Sequence, residues 1–147
     1  MRAVVQRVSR ACVSVDGETI GNIEAGLLVL LGVSVDDAEA DADWMAEKLA
    51  NLRIFKDDLG AMNRSLLDVG GAMLVVSQFT LLGDARKGRR PSFIQAAKEP
   101  LARPLYERVG ECVKRLGIEV AFGSFGADME VELVYQGPVT ILIDSKQ

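Results

Sequence analysis

Short apolar and alternating segments at the start of the chain predict β-structure. Apolar residues at positions 3, 5 and 8 begin a strand, and Cys12–Val15 continues into Asp16-Gly17, a pair typical of hairpin turns. Glu18–Ile23 is the expected return strand. The run Gly26–Val33 is apolar throughout and bounded by glycine, which predicts a central strand buried on both faces. Other elements must therefore cover both sides of that strand.

The next segment has helical spacing. Apolar residues recur on one helix face from Trp44 to Phe55, after a cluster of acidic residues. Acids suit the positive end of a helix dipole, and at this spacing they diverge around the helix. We therefore expect a solvated helix start rather than a metal site. The acidic residues are Asp36, Asp37, Glu39, Asp41 and Asp43.

A second helical region follows a second buried strand, Ala72–Val76. Ser92 is a suitable N-cap for a helix that begins at Phe93. Pro100 and Pro104 are expected to interrupt this helix, and Gly117 is expected to end its second piece.

The last thirty residues again have the pattern of strands. Glu119–Ala121, Met129–Val134 and Val139–Ile143 are the expected strands, with a turn at Gly137-Pro138 joining the last two. The chain has no linker, repeat or low-complexity segment. The pattern predicts a single α/β domain over residues 1–147, with two helical regions packed on one face of a sheet.

Composition excludes several kinds of site. The 147 residues include no His and only two Cys, Cys12 and Cys112. A Ser-His-Asp or Cys-His relay, a His-ligated zinc and a four-thiolate site are therefore excluded, and we expect no metal and no cofactor. Both Cys are interpreted as buried small apolar residues rather than reactive thiols.

Charge and hydropathy restrict the partners. The net charge is −4, so the field of the whole molecule repels nucleic acid, and a polyanion would need a local basic patch. The segment Arg86–Pro91, called here the basic loop, supplies Arg86, Lys87, Arg89 and Arg90. It is either a solubilising loop or a phosphate contact. The N-terminal ten residues lack the apolar region of a signal peptide and no apolar run could span a bilayer, so we expect a cytoplasmic protein without a membrane partner.

Two further segments could carry chemistry. Ser77-Gln78-Phe79-Thr80, called here the cradle, follows a buried strand, and strand ends are common positions for active sites in α/β folds. Because the chain has no His to act as a base for its hydroxyl groups, the segment is interpreted as a set of hydrogen-bonding groups rather than a nucleophile. The alternative is an ordinary strand end, where the same residue types also occur. Gly137-Pro138 predicts a tight turn, in which the peptide bond before proline can be cis. Considered by itself, the pair indicates an ordinary hairpin turn.

Taken together, seven segments resemble the D-aminoacyl-tRNA deacylases. Each is weak alone, but their order and spacing are highly specific, and the resemblance extends from the first residue to about Ser145. The segments are Met1–Val8, Leu52–Phe55, Met62-Asn63, Ser77–Leu81, Arg90–Phe93, Phe125–Ala127 with Met129, and Gly137–Thr140.

The resemblance implies a homodimeric hydrolase with a three-layer β/β/α fold. It would cleave the ester between a D-amino acid and the 3′ end of tRNA, with no DNA partner. In the family, the cradle of one subunit meets the Gly-Pro segment of the other, whose cis peptide and backbone oxygens exclude the side chain of an L-amino acid. These roles fall to Ser77–Thr80 and to Gly137 and Pro138, and glycyl-tRNA should also be admitted. The chain has Tyr135-Gln136 where the family usually has Asn, often followed by Asp, so any hydrogen bond from that Asn is lost or replaced.

An aminoacyl ester is activated, so attack by water needs mainly orientation and donors for the developing oxyanion. The backbone N–H groups of Gln78 and Phe79 are the candidate donors. The resemblance suggests that the terminal ribose 2′-hydroxyl assists, and the alternative is Thr80 as a covalent nucleophile. A non-catalytic RNA-binding module and a small-molecule esterase are the two other classes of function that the sequence leaves open.

Overall fold

Eight strands, three helices and one 3-10 turn form the chain, and the computed structural model describes residues 1–147. The strands are β1 Arg2–Val15, β2 Glu18–Ile23, β3 Gly26–Gly32, β4 Phe55–Lys56, β5 Met62–Arg64, β6 Ala72–Ser77, β7 Glu119–Phe122 and β8 Glu130–Asp144. The helices are α1 Glu39–Asn51, α2 Leu66–Val69 and α3 Glu99–Arg115, and the 3-10 turn is Phe79–Leu82. None of the helices combines the length and the apolarity of a membrane span.

The main sheet is mixed, with β1 and β3 at its centre. β3 pairs antiparallel with β1 and parallel with β6, which pairs parallel with β7. Because β3 and β6 are parallel, their carboxyl ends lie at the same edge of the sheet. One edge of β1 pairs first with β3 and then with β2, while its other edge pairs with β8 along most of its length.

Two apolar cores separate three layers. Leu27, Val29 and Leu31 of β3 belong to the core that includes α1 and α3. The alternate residue Leu28 belongs to a second core, together with Leu74 of β6 and residues of β1, β2 and β8. Side chains alternate between the faces of a strand, so an apolar run such as β3 fills both cores. The predicted three-layer β/β/α arrangement is confirmed.

Helix α3 corrects the predicted helix start at Phe93. Ser92 caps no helix, because its N–H and C=O are both bonded to the backbone of Asp84. The helix begins at Glu99 after Lys98, and it is continuous through both prolines. Pro100 lies in the first turn, where a backbone N–H lacks an intrahelical acceptor. Pro104 removes one later bond, but the apolar face that follows it packs on the core.

Strand β8 corrects the predicted hairpin at Gly137-Pro138. The residues before and after this pair form one strand, and both parts pair antiparallel with β1. Val8 is opposite Tyr135 and Gln6 is opposite Thr140. The extra residues 136–139 therefore form a large bulge, which interrupts the register without reversing the chain.

Helix α1 ends at Asn51, so Phe55 lies beyond it in β4 and the predicted end was too late. The expectation of a solvated start was also wrong for two of its acids, Asp37 and Asp41, whose side chains are 0% and 11% exposed. Buried Asp37 accepts from the Met1 ammonium at 2.6 Å and from the Ser34 N–H at 2.7 Å. Asp41 pairs with Lys146, whereas Asp43 pairs with Arg108 but keeps a side chain that is 48% exposed.

Candidate active site

The cradle follows β6 at the edge where β3 also ends. The Gln78 N–H donates to Leu31 O at 2.8 Å and so extends the pairing of these parallel strands by one bond. The chain then turns, with Leu81 N–H donating to Gln78 O at 3.2 Å and Gly83 N–H donating to Thr80 O at 2.9 Å. The turn leaves the Phe79 side chain 57% exposed. The predicted position at a strand end is confirmed.

A cleft of about 430 Å³ lies beside the cradle. Ser77, Gln78 and Phe79 line one side, and the loop after β7, including Phe125 and Met129, lines another. The Gly126 N–H lies 3.5 Å from Ser77 Oγ and connects the two sides. Of the four predicted catalytic residues, only Thr80 is outside the lining. The lining is therefore mainly apolar, but it includes the carboxylates of Glu99 and Asp128 in addition to the hydrogen-bonding groups of the cradle.

The Phe125 wall is supported from helix α3. Its ring lies 5.5 Å from that of Tyr106 and 5.1 Å from the Arg103 guanidinium carbon. The Tyr106 hydroxyl donates to Val75 O at 2.8 Å, and burial raises the pKa of Tyr106 far above its usual value. Sequence reasoning missed both helical residues. The sequence signal for them was their i, i+3 spacing, which places both side chains on one face of the helix.

The hydrogen bonds of the cradle restrict its chemistry. Since the Gln78 N–H is already bonded to Leu31, it is not a free donor, and the corresponding expectation is corrected. The Phe79 N–H has no acceptor in the chain. The side-chain amide of Gln78 donates to the Thr80 hydroxyl. No carboxylate or amine is bonded to the hydroxyl of Ser77 or Thr80, so neither has a base in contact with it.

The bulge in β8 is held by Arg7, which sequence reasoning did not identify. The Arg7 side chain is buried and donates from Nη1 to Ile54 O at 2.7 Å and from Nε to Gln136 O at 3.3 Å. A buried arginine is rare, and it is this burial, visible only in the structure, that identifies Arg7. The bond to Gln136 uses a backbone oxygen, so the departure at Tyr135-Gln136 from the usual family residues does not remove it.

Gly137 and Pro138 are not part of the cleft within one chain. Their peptide bond is cis, and both residues are exposed. Gly137 has a φ of 129°, and a Cβ there would lie 2.9 Å from Val139 N and 3.0 Å from Arg7 Nη2. A side chain at this position would therefore be strained and crowded. Neither residue lines the cleft beside the cradle.

The basic loop extends from a two-bond backbone clasp between Asp84 and Ser92. Hydrogen bonds from Arg86 lower the pKa of Asp84 to about 2, and the same pairing raises the pKa of Arg86. The other cations, Lys87, Arg89 and Arg90, are exposed and form no ion pair. Three of the four predicted phosphate contacts are thus free to meet an anion.

Comparison with known proteins gives consistent matches along the chain. The family model described as D-Tyr-tRNA(Tyr) deacylase matches residues 4–144. A D-aminoacyl-tRNA deacylase of Roseiflexus castenholzii is 63% identical over 145 residues, which are 99% of this chain and 92% of that protein. A D-aminoacyl-tRNA deacylase of Symbiobacterium thermophilum is 59% identical over 147 residues, which are 100% of this chain and 97% of that protein.

Two solved structures are similar to the fold. A structure titled c-Myc DNA Unwinding Element Binding Protein has a TM-score of 0.91 and 40% identity, covering 98% of both chains. A probable eukaryotic D-amino acid tRNA deacylase has a TM-score of 0.84 at 17% identity, covering 97% of both chains. The second similarity concerns the fold alone.

Proposed function

The chain belongs to the D-aminoacyl-tRNA deacylase family and is a hydrolase, and from this premise we propose how its residues act on a D-aminoacyl-tRNA. The reaction is hydrolysis of the ester that joins the amino acid to the terminal ribose of tRNA. The observation that carries the assignment to the cleft is the cradle, which offers an unbonded backbone N–H at the edge of a mainly apolar cavity.

The cradle acts by orientation and by hydrogen bonding to the oxyanion. Water adds to the ester carbonyl carbon, and the Phe79 N–H donates to the oxygen that becomes negative. The bond to the ribose oxygen then breaks, and that oxygen takes a proton as the free amino acid and tRNA form. The ribose 2′-hydroxyl assists the proton transfer, since the carboxylates of Glu99 and Asp128 line the cleft but neither is hydrogen-bonded to a hydroxyl of the cradle. The Thr80 hydroxyl accepts from Gln78 and fixes the turn.

The stereochemical filter comes from a second copy of the chain. Gly137 and Pro138 are remote from the cleft of their own chain but exposed, and they belong to a strand whose outer edge is free. Val134, Tyr135 and Leu142 of the same strand are 40%, 41% and 77% exposed, and this row of apolar side chains favours cover by another chain. In a homodimer, the Gly-Pro segment of one subunit closes the cleft of the other and excludes an L side chain. Glycine has no side chain to exclude, so glycyl-tRNA is also a substrate.

The basic loop holds the tRNA. Its three unpaired cations are local positive charge on a protein of net charge −4, and such charge is needed to approach a polyanion. No stacking platform for several bases accompanies it, so the contacts are to phosphates and independent of sequence. The aminoacyl-tRNA pool also sets the location of the activity, which we propose to be the cytoplasm, with neither DNA nor a membrane as partner.

The decisive experiment compares hydrolysis of D-tyrosyl-tRNA, L-tyrosyl-tRNA, glycyl-tRNA and D-tyrosine methyl ester by the wild type. We expect rapid hydrolysis of the first and third, none of the second, and slow hydrolysis of the free ester. Equal rates on the free ester would indicate a small-molecule esterase. Binding without hydrolysis would indicate an RNA-binding module, and tighter binding of duplex DNA than of tRNA would contradict the proposed partner.

The matched variant for the filter is Gly137→Ala, with Gly60→Ala as control. Both glycines have positive φ, but a Cβ at Gly60 meets no atom within 4 Å. We expect Gly137→Ala to reduce hydrolysis of D-tyrosyl-tRNA or its preference over the L-substrate, and Gly60→Ala to leave both unchanged. Sedimentation of the wild type should give the mass of a dimer. A monomer with full stereochemical discrimination would refute the filter.

A further inference from the structure

The Phe79 ring of the cradle packs against a second aromatic ring, that of Phe93. The two centroids lie 5.2 Å apart with the planes at 70°, an edge-to-face arrangement. Phe93 also contacts the backbone at the end of the turn. A Cβ built on Gly83 would lie 2.9 Å from Phe93 Cε1 and 2.9 Å from Thr80 O. Phe93 therefore supports both the ring and the backbone segment that presents the Phe79 N–H.

Phe93 directly follows the clasp that closes the basic loop. In the clasp, the N–H of Asp84 and of Ser92 each donates to the other residue's C=O at 2.8 Å. After Phe93, the backbone is bonded to the residues that follow β3, with Ala97 N–H donating to Val33 O at 2.9 Å. The chain is thus fixed on both sides of Phe93, and the position of its ring follows that of the clasp.

We propose that Phe93 is a positioning residue that couples the basic loop to the cradle. The clasp holds Phe93, whose ring holds Phe79 and its N–H toward the ester carbonyl, so phosphates bound by the cations of the loop are held at a fixed position relative to that N–H. The proposal rests on the proposed function, in which the loop binds tRNA and the Phe79 N–H stabilises the oxyanion. It adds a residue that touches no substrate but determines how fast the ester is hydrolysed once the loop has bound the tRNA.

The size of the effect follows from the aromatic pair. An edge-to-face pair stabilises its geometry by an equilibrium factor of about 2 to 12 beyond the area that it buries. Phe79 and Phe93 are 57% and 38% exposed, so removing one ring opens no cavity in either core and should change the unfolding temperature little. The loss should therefore appear in kcat rather than in KM or in stability.

The first experiment measures kcat and KM for D-tyrosyl-tRNA with Phe93→Ala, Phe93→Leu and Phe93→Tyr. We expect the first two to lower kcat about 2- to 12-fold with KM unchanged, and the third, which keeps the ring, to retain kcat. Trp44→Ala is the control, since Trp44 is 40% exposed on α1 and stacks on no aromatic ring. It should leave both constants unchanged. Equal kcat values for Phe93→Leu and Phe93→Tyr would overturn the role of the ring. This comparison decides the question even where Phe93→Ala fails to fold.

The second experiment is a double-mutant cycle with the loop variant Lys87→Gln/Arg89→Gln. In the wild-type background this variant should raise KM and lower kcat, whereas in Phe93→Leu it should raise KM alone. Additive effects on kcat would overturn the coupling. Wild-type hydrolysis of D-tyrosyl-tRNA distinguishes a failure of the proposed function from a failure of the coupling through Phe93. An inactive wild type would refute the proposed function, whereas an active wild type with unchanged kcat in Phe93→Leu would refute only this inference.

Discussion

The buried guanidinium of Arg7 connects β1 to two other segments, and its replacement by lysine should weaken both connections. Arg7 donates to Ile54 O, which precedes β4, and to Gln136 O in the bulge of β8. Lysine keeps the charge but has a single nitrogen in place of the planar fork. One ammonium cannot take both positions, so Arg7→Lys leaves at least one carbonyl without its donor.

The magnitude follows from the geometry of these two bonds. A hydrogen bond to a charged group stabilises a protein by about 1.5–3 kcal/mol, and the 2.7 Å bond to Ile54 O is the stronger of the pair. Losing one bond and lengthening the other should lower the free energy of unfolding by about 2–3 kcal/mol. For a domain of this size that is about 4–12 °C in Tm. Because Arg7 Nη2 also contacts the position of Gly137, the bulge should move and the preference for D- over L-tyrosyl-tRNA should fall.

The assay combines urea unfolding with single-turnover hydrolysis of D- and L-tyrosyl-tRNA. Arg10→Lys is the matched control, because Arg10 lies on the same strand but is exposed and forms no ion pair. It should change neither stability nor discrimination. If Arg7→Lys unfolds at the same urea concentration as Arg10→Lys, the energetic reasoning is wrong. A destabilised variant with unchanged discrimination would instead show that Arg7 stabilises the fold without positioning Gly137.

Further predictions concern other parts of the molecule. Thr80→Ala should retain hydrolysis within about tenfold, since a lost nucleophile would cost several powers of ten and an acyl-enzyme on Thr80 would contradict the mechanism. Lys87→Gln/Arg89→Gln should reduce the slope of log Kd for tRNA against log salt by about 1.4–1.8, and an unchanged slope would mean that the loop only solubilises. Burial opposes ionisation of Asp41, but hydrogen bonds from Ala38, Lys146 and Ser145 outweigh it and lower its pKa to about 2. Asp41→Asn should therefore cost about 2 kcal/mol at pH 7, with the difference from wild type shrinking as pH falls from about 4 toward 2, and a constant difference would refute this cause. Exhaustive EDTA treatment should leave hydrolysis unchanged, and a loss that zinc restores would contradict a metal-free reaction.

The sequence predicts the strands whose signals are local. The β1–β2 hairpin and the buried strands β3 and β6 were predicted because a turn pair or an apolar run marks each of them. The bulge at Gly137-Pro138 was mistaken for a hairpin because glycine and proline indicate irregular backbone, but not which strand pairs with the residues on either side. Ser92 was mistaken for a helix cap because its backbone groups bond to Asp84, a contact that helical spacing does not reveal.

The same distinction applies to the site. The cradle was predicted because its position depends only on the end of β6, and three of its four residues line the cleft. Arg7 and Tyr106 were missed because their roles depend on carbonyl groups far along the chain, those of Ile54 and Val75. The Gln78 N–H was proposed as a donor because the sequence does not show that the pairing of β3 and β6 extends one bond further.

The pairing of β1 with β8 also has a consequence for folding during synthesis. Arg2 and Asp144 are bonded across a separation of 142 residues, so the outer edge of β1 gains its partner only after nearly all of the chain has been made. Until then a long strand with unpaired N–H and C=O groups is a template for pairing with other chains. Contacts between residues so far apart in the sequence also slow folding. A nascent chain stalled before β8 should consequently aggregate, and chaperone demand should be highest just before the last strand emerges from the ribosome.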